Sequence, residues 1–333
     1  MEPREPSVAL SLVLATGLLV PGVARAAEDA GLHRLWTTEF QGRDAILRAV
    51  AIGQMTTRIQ VGTGIAYAFT RLPRALAATA LDAAEITGGR FTLGLGAGTR
   101  GLRRLFGADF DPPATRLATL IAELRTTWDE ASWVRSVPAP PIAVAGVNEA
   151  MLRTAAHHGD RVVLHPLCLV NTHLHERVLP AIQTGRDRRE GSDVAVSAWC
   201  IASVDSDAKT ARARARRQLA FYLSTPGYRK VVEGTEFEPA TAALREEFVA
   251  TAGADWSALA RHVPDELLDQ LSITGTPADV RAGVTHMRDR LGPLGIDELV
   301  LQTVDASDDI GTVAAIEALI VAVARTTPNL EEA

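Results

Sequence analysis

The chain has 333 residues, of which 47% are hydrophobic and 22% charged, and its formal net charge is −6. This composition is typical of a globular protein with a large hydrophobic core. The mild negative charge offers no basic surface for nucleic acid, and no stretch is apolar over the length that a membrane span needs. We therefore expect neither nucleic-acid nor membrane binding.

The N-terminal segment resembles a signal peptide in part. An apolar run covers residues 10–20, and Ala24-Arg25-Ala26 resembles a cleavage site, but no positive charge dominates the first residues. We interpret the segment as the first strand and helix of the fold, with a signal peptide as the alternative. The two cysteines, Cys168 and Cys200, lack metal-ligand spacing, so we expect reduced thiols, a cytoplasmic protein and no metal site.

Short apolar strands alternate with helical patterns along the chain, which is typical of βαβ units and a parallel sheet. The predicted strands cover residues 8–14, 34–38, 59–65, 91–95, 142–145, 161–164, 194–202 and 298–303. The predicted helices cover residues 20–30, 43–56, 73–87, 114–129, 148–158, 172–188, 206–222 and 277–291.

Eight such units predict a (β/α)8 TIM barrel, with a doubly wound open sheet as the alternative. We expect a single domain over residues 1–333, with an insertion at about 223–276 before the last unit. The composition of that insertion suggests extra helices that shape a pocket at the mouth of the barrel.

In a barrel, the functional residues lie where the strands end at their carboxyl side. Glu39 ends the second strand, where its carboxylate contacts a ligand or forms a salt bridge. Arg71 follows the third strand and either binds a phosphate or an acidic substrate, or pairs with a carboxylate such as Asp82. His165 ends the sixth strand, as either a pocket residue or the cap of a loop.

The fourth strand runs into Gly96-x-Gly98-x-x-Gly101, and glycines at a strand end allow a ligand to approach the backbone closely. The match to a dinucleotide-binding loop is weak, because no clear helix opens at Gly101. The fifth strand ends at Ala145-Gly146-Val147, and the start of the helix that follows predicts an anion site.

Together these strand ends resemble the luciferase-like flavin and deazaflavin oxidoreductases over residues 8–305. The residues that carry the resemblance are Thr38-Glu39, the stretch from Thr57 to Ile65, Arg71-Leu72-Pro73, the stretch from Gly88 to Gly98, Pro141 to Gly146, and Gly275 to Val280. The Thr-Gly-Ile and Thr-Arg-x-Pro versions look most like the branch that uses coenzyme F420.

The resemblance implies a (β/α)8 barrel with a non-prolyl cis peptide at Gly64–Ile65, which would back the deazaflavin ring. It also implies which residues bind the cofactor: Glu39, Gly64, Ile65, Tyr67, Ala97, Gly98, Thr99, Ala145, Gly146, Val147 and His165. Some members carry a histidine after the carboxylate of the second strand, where this chain has Phe40. The resemblance therefore does not extend to oxidation of an alcohol with that histidine as base.

We expect an enzyme that transfers a hydride between coenzyme F420 and a small organic substrate, with Glu39 or His165 as catalytic groups and Phe40 and Arg71 facing the substrate. The alternatives are an FMN-dependent monooxygenase with a separate reductase, a catalytically silent flavin-binding barrel, and an unrelated sugar-phosphate enzyme. A homodimer is expected from the resemblance.

Overall fold

Parallel strands form a closed barrel in this protein. The structure, a computed structural model, describes residues 5–12, 21–40, 42–108, 112–131, 136–306 and 309–324. The strands are β1 (Ser7–Ser11), β2 (Arg34–Thr37), β3 (Gln60–Thr63), β4 (Ala66–Tyr67), β5 (Phe91–Gly96), β6 (Ile142–Gly146), β7 (Arg161–Leu164), β8 (Ala195–Val204), β9 (Ser272–Gly275) and β10 (Glu298–Gln302).

Eight of these strands close the sheet on itself in the order β1-β2-β3-β5-β6-β7-β8-β10, because β10 pairs with both β8 and β1. The predicted TIM barrel is confirmed, and the open doubly wound sheet is excluded. The two remaining strands extend the barrel at its mouth. β4 pairs with the end of β5, and β9 pairs with the last four residues of β8.

Helices surround the barrel and separate its strands. They are α1 (Pro21–Asp29), α2 (Ala45–Met55), α3 (Pro73–Ile86), α4 (Arg100–Leu105), α5 (Pro113–Glu130), α6 (Glu149–His158), α7 (Asn171–His173), α8 (Leu179–Arg186), α9 (Ala208–Ser224), α10 (Glu238–Thr251), α11 (Trp256–Ala260), α12 (Asp265–Leu271), α13 (Pro277–Leu291) and α14 (Asp309–Ala324). None of the helices in the described ranges is long and apolar enough to cross a membrane.

Local sequence explains several helix starts. Pro73 and Pro277 occupy the first position of α3 and α13, where the missing N–H of proline is not needed. Asp44 caps α2 by accepting a hydrogen bond from the Leu47 N–H at 2.8 Å. Thr276 and Asp279 form a reciprocal capping box at the start of α13. The insertion contains α10, α11 and α12, as its composition suggested.

Some sequence predictions were wrong. A helix, α4, does open beside Gly101, because Thr99 caps it by accepting a hydrogen bond from Leu102 N–H. The predicted helix 172–188 is interrupted by a wider turn, Leu174–Val178, between α7 and α8. The predicted third strand ends earlier, at Thr63, and β4 and β9 were not predicted. Residues 13 and 14 of the predicted first strand lie outside the described residues.

The inside of the barrel is filled by two indole rings. Trp36 of β2 and Trp199 of β8 have ring centroids 5.2 Å apart, and small or branched residues of the other strands surround them. A Cβ at Gly62 would lie 2.8 Å from the Trp36 ring, and a Cβ at Gly64 would lie 2.7 Å from the Trp199 ring. Glycine in and after β3 is therefore required by the bulk of the rings.

The amino-terminal end of the barrel is closed by a buried carboxylate. Glu298 accepts hydrogen bonds from Arg34 at 2.8 Å, from Trp36 Nε1 at 3.1 Å and from Ser197 at 2.8 Å. Although burial raises its pKa, the nearby guanidinium groups of Arg34 and Arg161 lower it overall. The group is therefore ionised and fully partnered, which stabilises the closed end and leaves the opposite rim as the open mouth.

Candidate active site

The candidate residues lie in one arc at the mouth of the barrel. They lie at or just after the ends of β2, β3, β5, β6 and β7, which are consecutive neighbours in the sheet, and in the short strand β4, which pairs with β5. Gly146, Glu39 and Tyr67 are buried. The partly exposed members of the arc are Gly64, Ile65, Ala97, Gly98, Thr99, Ala145, Val147 and His165. The fold thus brings all the cofactor-binding candidates to a single rim.

The peptide bond between Gly64 and Ile65 is cis, as the resemblance implied. After it the chain turns into β4, and the Ile65 carbonyl accepts a hydrogen bond from Glu39 N–H at 3.1 Å. The second and third strands are thus joined at the mouth.

The glycines of β5 make room for the chain itself. A Cβ at Gly94 would lie 1.7 Å from the Thr63 carbonyl oxygen, and one at Gly96 would lie 2.8 Å from the Ile65 side chain. Gly98 has φ +67 and lies against the Tyr67 ring. The sequence attributed this glycine spacing to the approach of a cofactor, whereas these contacts explain it by the close approach of the segment from Thr63 to Tyr67.

Glu39 and Arg71 form a two-point ion pair. Arg71 Nη2 donates to Glu39 Oε1 at 2.7 Å and Nη1 donates to Oε2 at 3.1 Å. Glu39 Oε2 also accepts from Tyr67 N–H at 2.7 Å, and Arg71 reaches Asp44 at 2.6 Å. Of the two options for Arg71, pairing with a carboxylate is confirmed, but the partners are Glu39 and Asp44 rather than Asp82.

Phe40 lies beside this ion pair with 40% of its surface exposed. Its backbone pairs with that of Arg43 across a tight turn, in which Gly42 has φ +80. The ring therefore projects from the rim and presents an apolar surface. It has no proton to donate or accept, so the end of β2 supplies no histidine-like base.

His165 follows β7 directly, and its imidazole is neutral. Burial lowers its pKa to about 3. Its Nδ1 accepts a hydrogen bond from Leu167 N–H at 3.2 Å, which caps the short 3-10 turn Pro166–Leu169. In a neutral imidazole whose Nδ1 accepts, the proton is on Nε2. His165 is therefore the cap of a loop, as one interpretation of the sequence had it, and it also presents an N–H donor.

Two tyrosines near His165 were missed by the sequence prediction. The ring of Tyr222, near the end of α9, lies 4.4 Å from the His165 ring, and that of Tyr228, in the insertion, lies 4.7 Å from it. Tyr222 accepts a hydrogen bond from Gln302 at 2.7 Å. The one sequence signal for them was the prediction that the insertion shapes a pocket. Contacts between rings that lie far apart in the chain leave no regular spacing in the sequence.

The end of β6 meets the start of α6. A Cβ at Gly146 would lie 3.0 Å from Leu152 N, so glycine lets the helix approach the strand. Asn148 caps α6 by accepting from Met151 N–H at 3.0 Å, and the Val147 carbonyl contacts His173 Nε2 at 3.2 Å. A helix N-terminus beside small residues favours an anionic group.

Comparison with known proteins defines the class to which this barrel belongs. Residues 20–293 match the luciferase-like monooxygenase family. This chain therefore belongs to that family.

Two relatives are similar to this chain over most of its length. A 5,10-methylenetetrahydromethanopterin reductase from Methanolobus tindarius is 28% identical over 303 residues, covering 85% of this chain and 89% of the relative. An uncharacterised protein from Mycobacterium tuberculosis strain H37Rv is 29% identical over 303 residues, covering 80% and 87%.

Solved structures share the fold. The coenzyme F420-dependent tetrahydromethanopterin reductase from Methanopyrus kandleri superposes with a TM-score of 0.71 at 20% identity, covering 97% of this chain and 98% of that one. An FMN-bound type II Baeyer–Villiger monooxygenase component from Pseudomonas putida superposes with a TM-score of 0.61 at 16% identity, covering 97% and 99%.

Proposed function

We propose that this protein is a coenzyme F420-dependent oxidoreductase that transfers a hydride between the deazaflavin and a small organic substrate. The observation that carries the proposal is the arc of candidate residues at the mouth. This arc joins the segment from Gly64 to Tyr67 with the ends of β5 and β6. The reductases similar to this chain include members whose names specify coenzyme F420, which supports this cofactor.

The residues of the arc fit such a cofactor. Small side chains at Ala97, Gly98 and Ala145 leave the backbone accessible to a flat ring. Thr38, directly after β2, has a buried hydroxyl without a hydrogen-bond partner in the described ranges. We assign ring binding to Gly64, Ile65, Tyr67 and the stretch from Ala97 to Thr99.

The anionic tail of the cofactor fits the junction of β6 and α6, where Ala145, Gly146 and Val147 precede the helix start. When bound, the deazaflavin would supply two-electron hydride chemistry. The chain itself supplies orientation, a largely apolar mouth and polar groups that hydrogen bonds hold in place.

In this proposal Glu39 acts as a hydrogen-bond acceptor that Arg71 and the Tyr67 backbone hold in place. Both of its oxygens accept from Arg71, and one also accepts from the Tyr67 backbone. Glu39 therefore positions the backbone of β4, while Phe40 forms an apolar wall for the substrate. This arrangement favours reactions that need no histidine base at the second strand.

An FMN-dependent monooxygenase is the second candidate, because the FMN-bound neighbour shares the same barrel. The substrate of either reaction is a small organic molecule in this proposal. The relative from Methanolobus tindarius, named for a reaction on a methylene-bearing pterin, makes a cyclic imine or iminium a sensible member of the first substrate panel.

An anaerobic turnover assay separates the candidates. The protein is mixed with reduced coenzyme F420 and a panel of enones, imines and ketones, and oxidation of the cofactor is followed by its visible absorbance. In parallel it is mixed with reduced FMN, oxygen and the same panel. We expect turnover in the first assay. Oxygenated products in the second assay alone would support the monooxygenase, and binding without turnover in either would support the silent barrel.

A further inference from the structure

One cluster at the mouth combines His165, a cofactor-binding candidate, with two tyrosines that the cofactor assignment does not use. It consists of His165 after β7, Tyr222 at the end of α9 and Tyr228 in the insertion. The His165 ring meets the Tyr222 ring edge-on and lies tilted by 34° against the Tyr228 ring. Three polar rings are thus packed together at the mouth, after the end of β7.

Two hydrogen-bond donors of this cluster lack partners. His165 Nε2 carries the proton, since Nδ1 accepts from Leu167, and no hydrogen bond to Nε2 is found in the described part of the chain. The Tyr228 hydroxyl likewise has none there. Both residues are partly exposed at the mouth.

Tyr222 differs from Tyr228 in this respect. Its hydroxyl accepts from Gln302 at 2.7 Å, at the carboxyl end of β10. This contact holds Tyr222 in place beside His165. Because both phenols contact the same imidazole but differ in their hydrogen bonds, Tyr222 can serve as the control for variants of Tyr228.

The two donors stay neutral across the physiological pH range. Burial keeps the pKa of His165 low, as described above. Burial and the proximity of Tyr222, Cys168 and Tyr67 raise the pKa of the Tyr228 phenol well above its usual value. The imidazole cannot readily gain a proton and the phenol cannot readily lose one, so both remain N–H and O–H donors.

We propose that His165 Nε2–H and the Tyr228 hydroxyl form a donor pair that binds the oxygen of a carbonyl group on a neutral substrate. A carbonyl oxygen has two lone pairs and can accept from both donors. A carboxylate would bring a charge that two neutral donors among aromatic rings do not balance. Such a pair also stabilises negative charge that develops on the oxygen. The inference rests on the proposed function, and it specifies aldehydes, ketones or enones as the substrates of the proposed oxidoreductase.

A push–pull aldehyde, 4-dimethylaminocinnamaldehyde, tests the pair without turnover, because hydrogen bonds to its carbonyl shift its absorption to longer wavelength. We expect a red shift on binding to the wild-type protein. Tyr228→Phe keeps the ring but removes one donor, so the shift should shrink and Kd should rise about fivefold to tenfold. Tyr222→Phe is the matched control and should retain the wild-type shift.

Coenzyme F420 binding, measured on the same three proteins, separates this inference from the proposed function. Failure of the wild type to bind coenzyme F420 would overturn the proposed function, while the red shift would still report on the donor pair. Three results would overturn the donor pair: no red shift in the wild type, an equal shift in Tyr228→Phe, or a Tyr228→Phe variant that loses coenzyme F420 rather than the aldehyde. Thermal unfolding of each variant verifies that it is folded.

Discussion

Arg71 and Glu39 face each other in a two-point ion pair at the mouth, with N–O distances of 2.7 and 3.1 Å. The Glu39 side chain is 6% exposed and that of Arg71 19%, so the pair is largely shielded from water. Asp44 also accepts a hydrogen bond from Arg71, and it caps α2. Arg71 therefore connects the end of β2 to the start of a helix. This position makes it a structural support of the candidate site.

Arg71→Met should destabilise the protein by about 2 kcal/mol, because it leaves the Glu39 carboxylate buried without its cation. Urea unfolding measures the change. The double variant Arg71→Met with Glu39→Gln should recover part of the loss, since it removes the unpaired charge. Equal stability of the single variant and the wild type would show that the pair contributes nothing to folding.

Gly94→Ala should destabilise the barrel by about 3 kcal/mol or more, because overpacked backbone contacts cannot relax. The added Cβ would lie 1.7 Å from the Thr63 carbonyl oxygen. Gly22→Ala in α1, where a Cβ meets nothing within 4 Å, is the matched control and should be neutral or slightly stabilising. Soluble expression and thermal unfolding compare the two, and equal behaviour would contradict the observed strand contact.

Protonation of His165 should oppose folding in acid. Its pKa is about 3 in the folded chain against 6.5 for the free side chain, so the unfolded state binds more protons below pH 6.5. The contribution of His165 to stability is therefore complete above pH 6.5 and is lost as the pH falls towards 3. Burial lowers the pKa of His33, His158 and His173 as well, and they act in the same direction.

The ring of His165 can be observed separately by NMR of its imidazole nitrogens. We expect the neutral form with the proton on Nε2 between pH 8 and about pH 5. Titration of this ring near pH 6.5 would contradict the buried, neutral assignment. His165→Phe removes the signal and identifies it.

Glu298→Gln should cost about 3 kcal/mol, because it leaves Arg34 buried without a counter-charge. The neighbouring change Trp36→Phe should cost less, since Glu298 would keep its contacts with Arg34 and Ser197. Chemical denaturation of both variants checks this order. A larger loss in Trp36→Phe would show that the indole, rather than the carboxylate, stabilises the closed end.

The barrel could be predicted from the sequence because strand and helix periodicity is local. Seven of the observed helices correspond to predicted segments without interruption, and α13 was predicted with its observed bounds, Pro277–Leu291. The early end of β3 and the turn into β4 could not be foreseen from periodicity, because they depend on contacts with the Trp36 and Trp199 rings. α4 was missed because six residues give too short a periodic pattern.

The sequence predicted that the candidate residues lie at the strand ends, but not which residues they contact. Strand ends pointed to Glu39, Arg71 and His165, which the fold does bring to the mouth. The pairing of Arg71 with Glu39 and Asp44 depends on how two loops meet in space. Tyr222 and Tyr228 lie about 60 residues from His165 in the chain, and only folding brings them beside it.

Titration of the apo protein with coenzyme F420, and separately with FMN, tests the central claim most directly. We expect quenching of the deazaflavin fluorescence with micromolar affinity and at least about tenfold weaker binding of FMN. Ala97→Trp, which fills the mouth, should abolish binding, while Ala122→Trp on the exposed face of α5 should not change it. Tighter binding of FMN, or coenzyme F420 binding that Ala97→Trp leaves unchanged, would contradict this account.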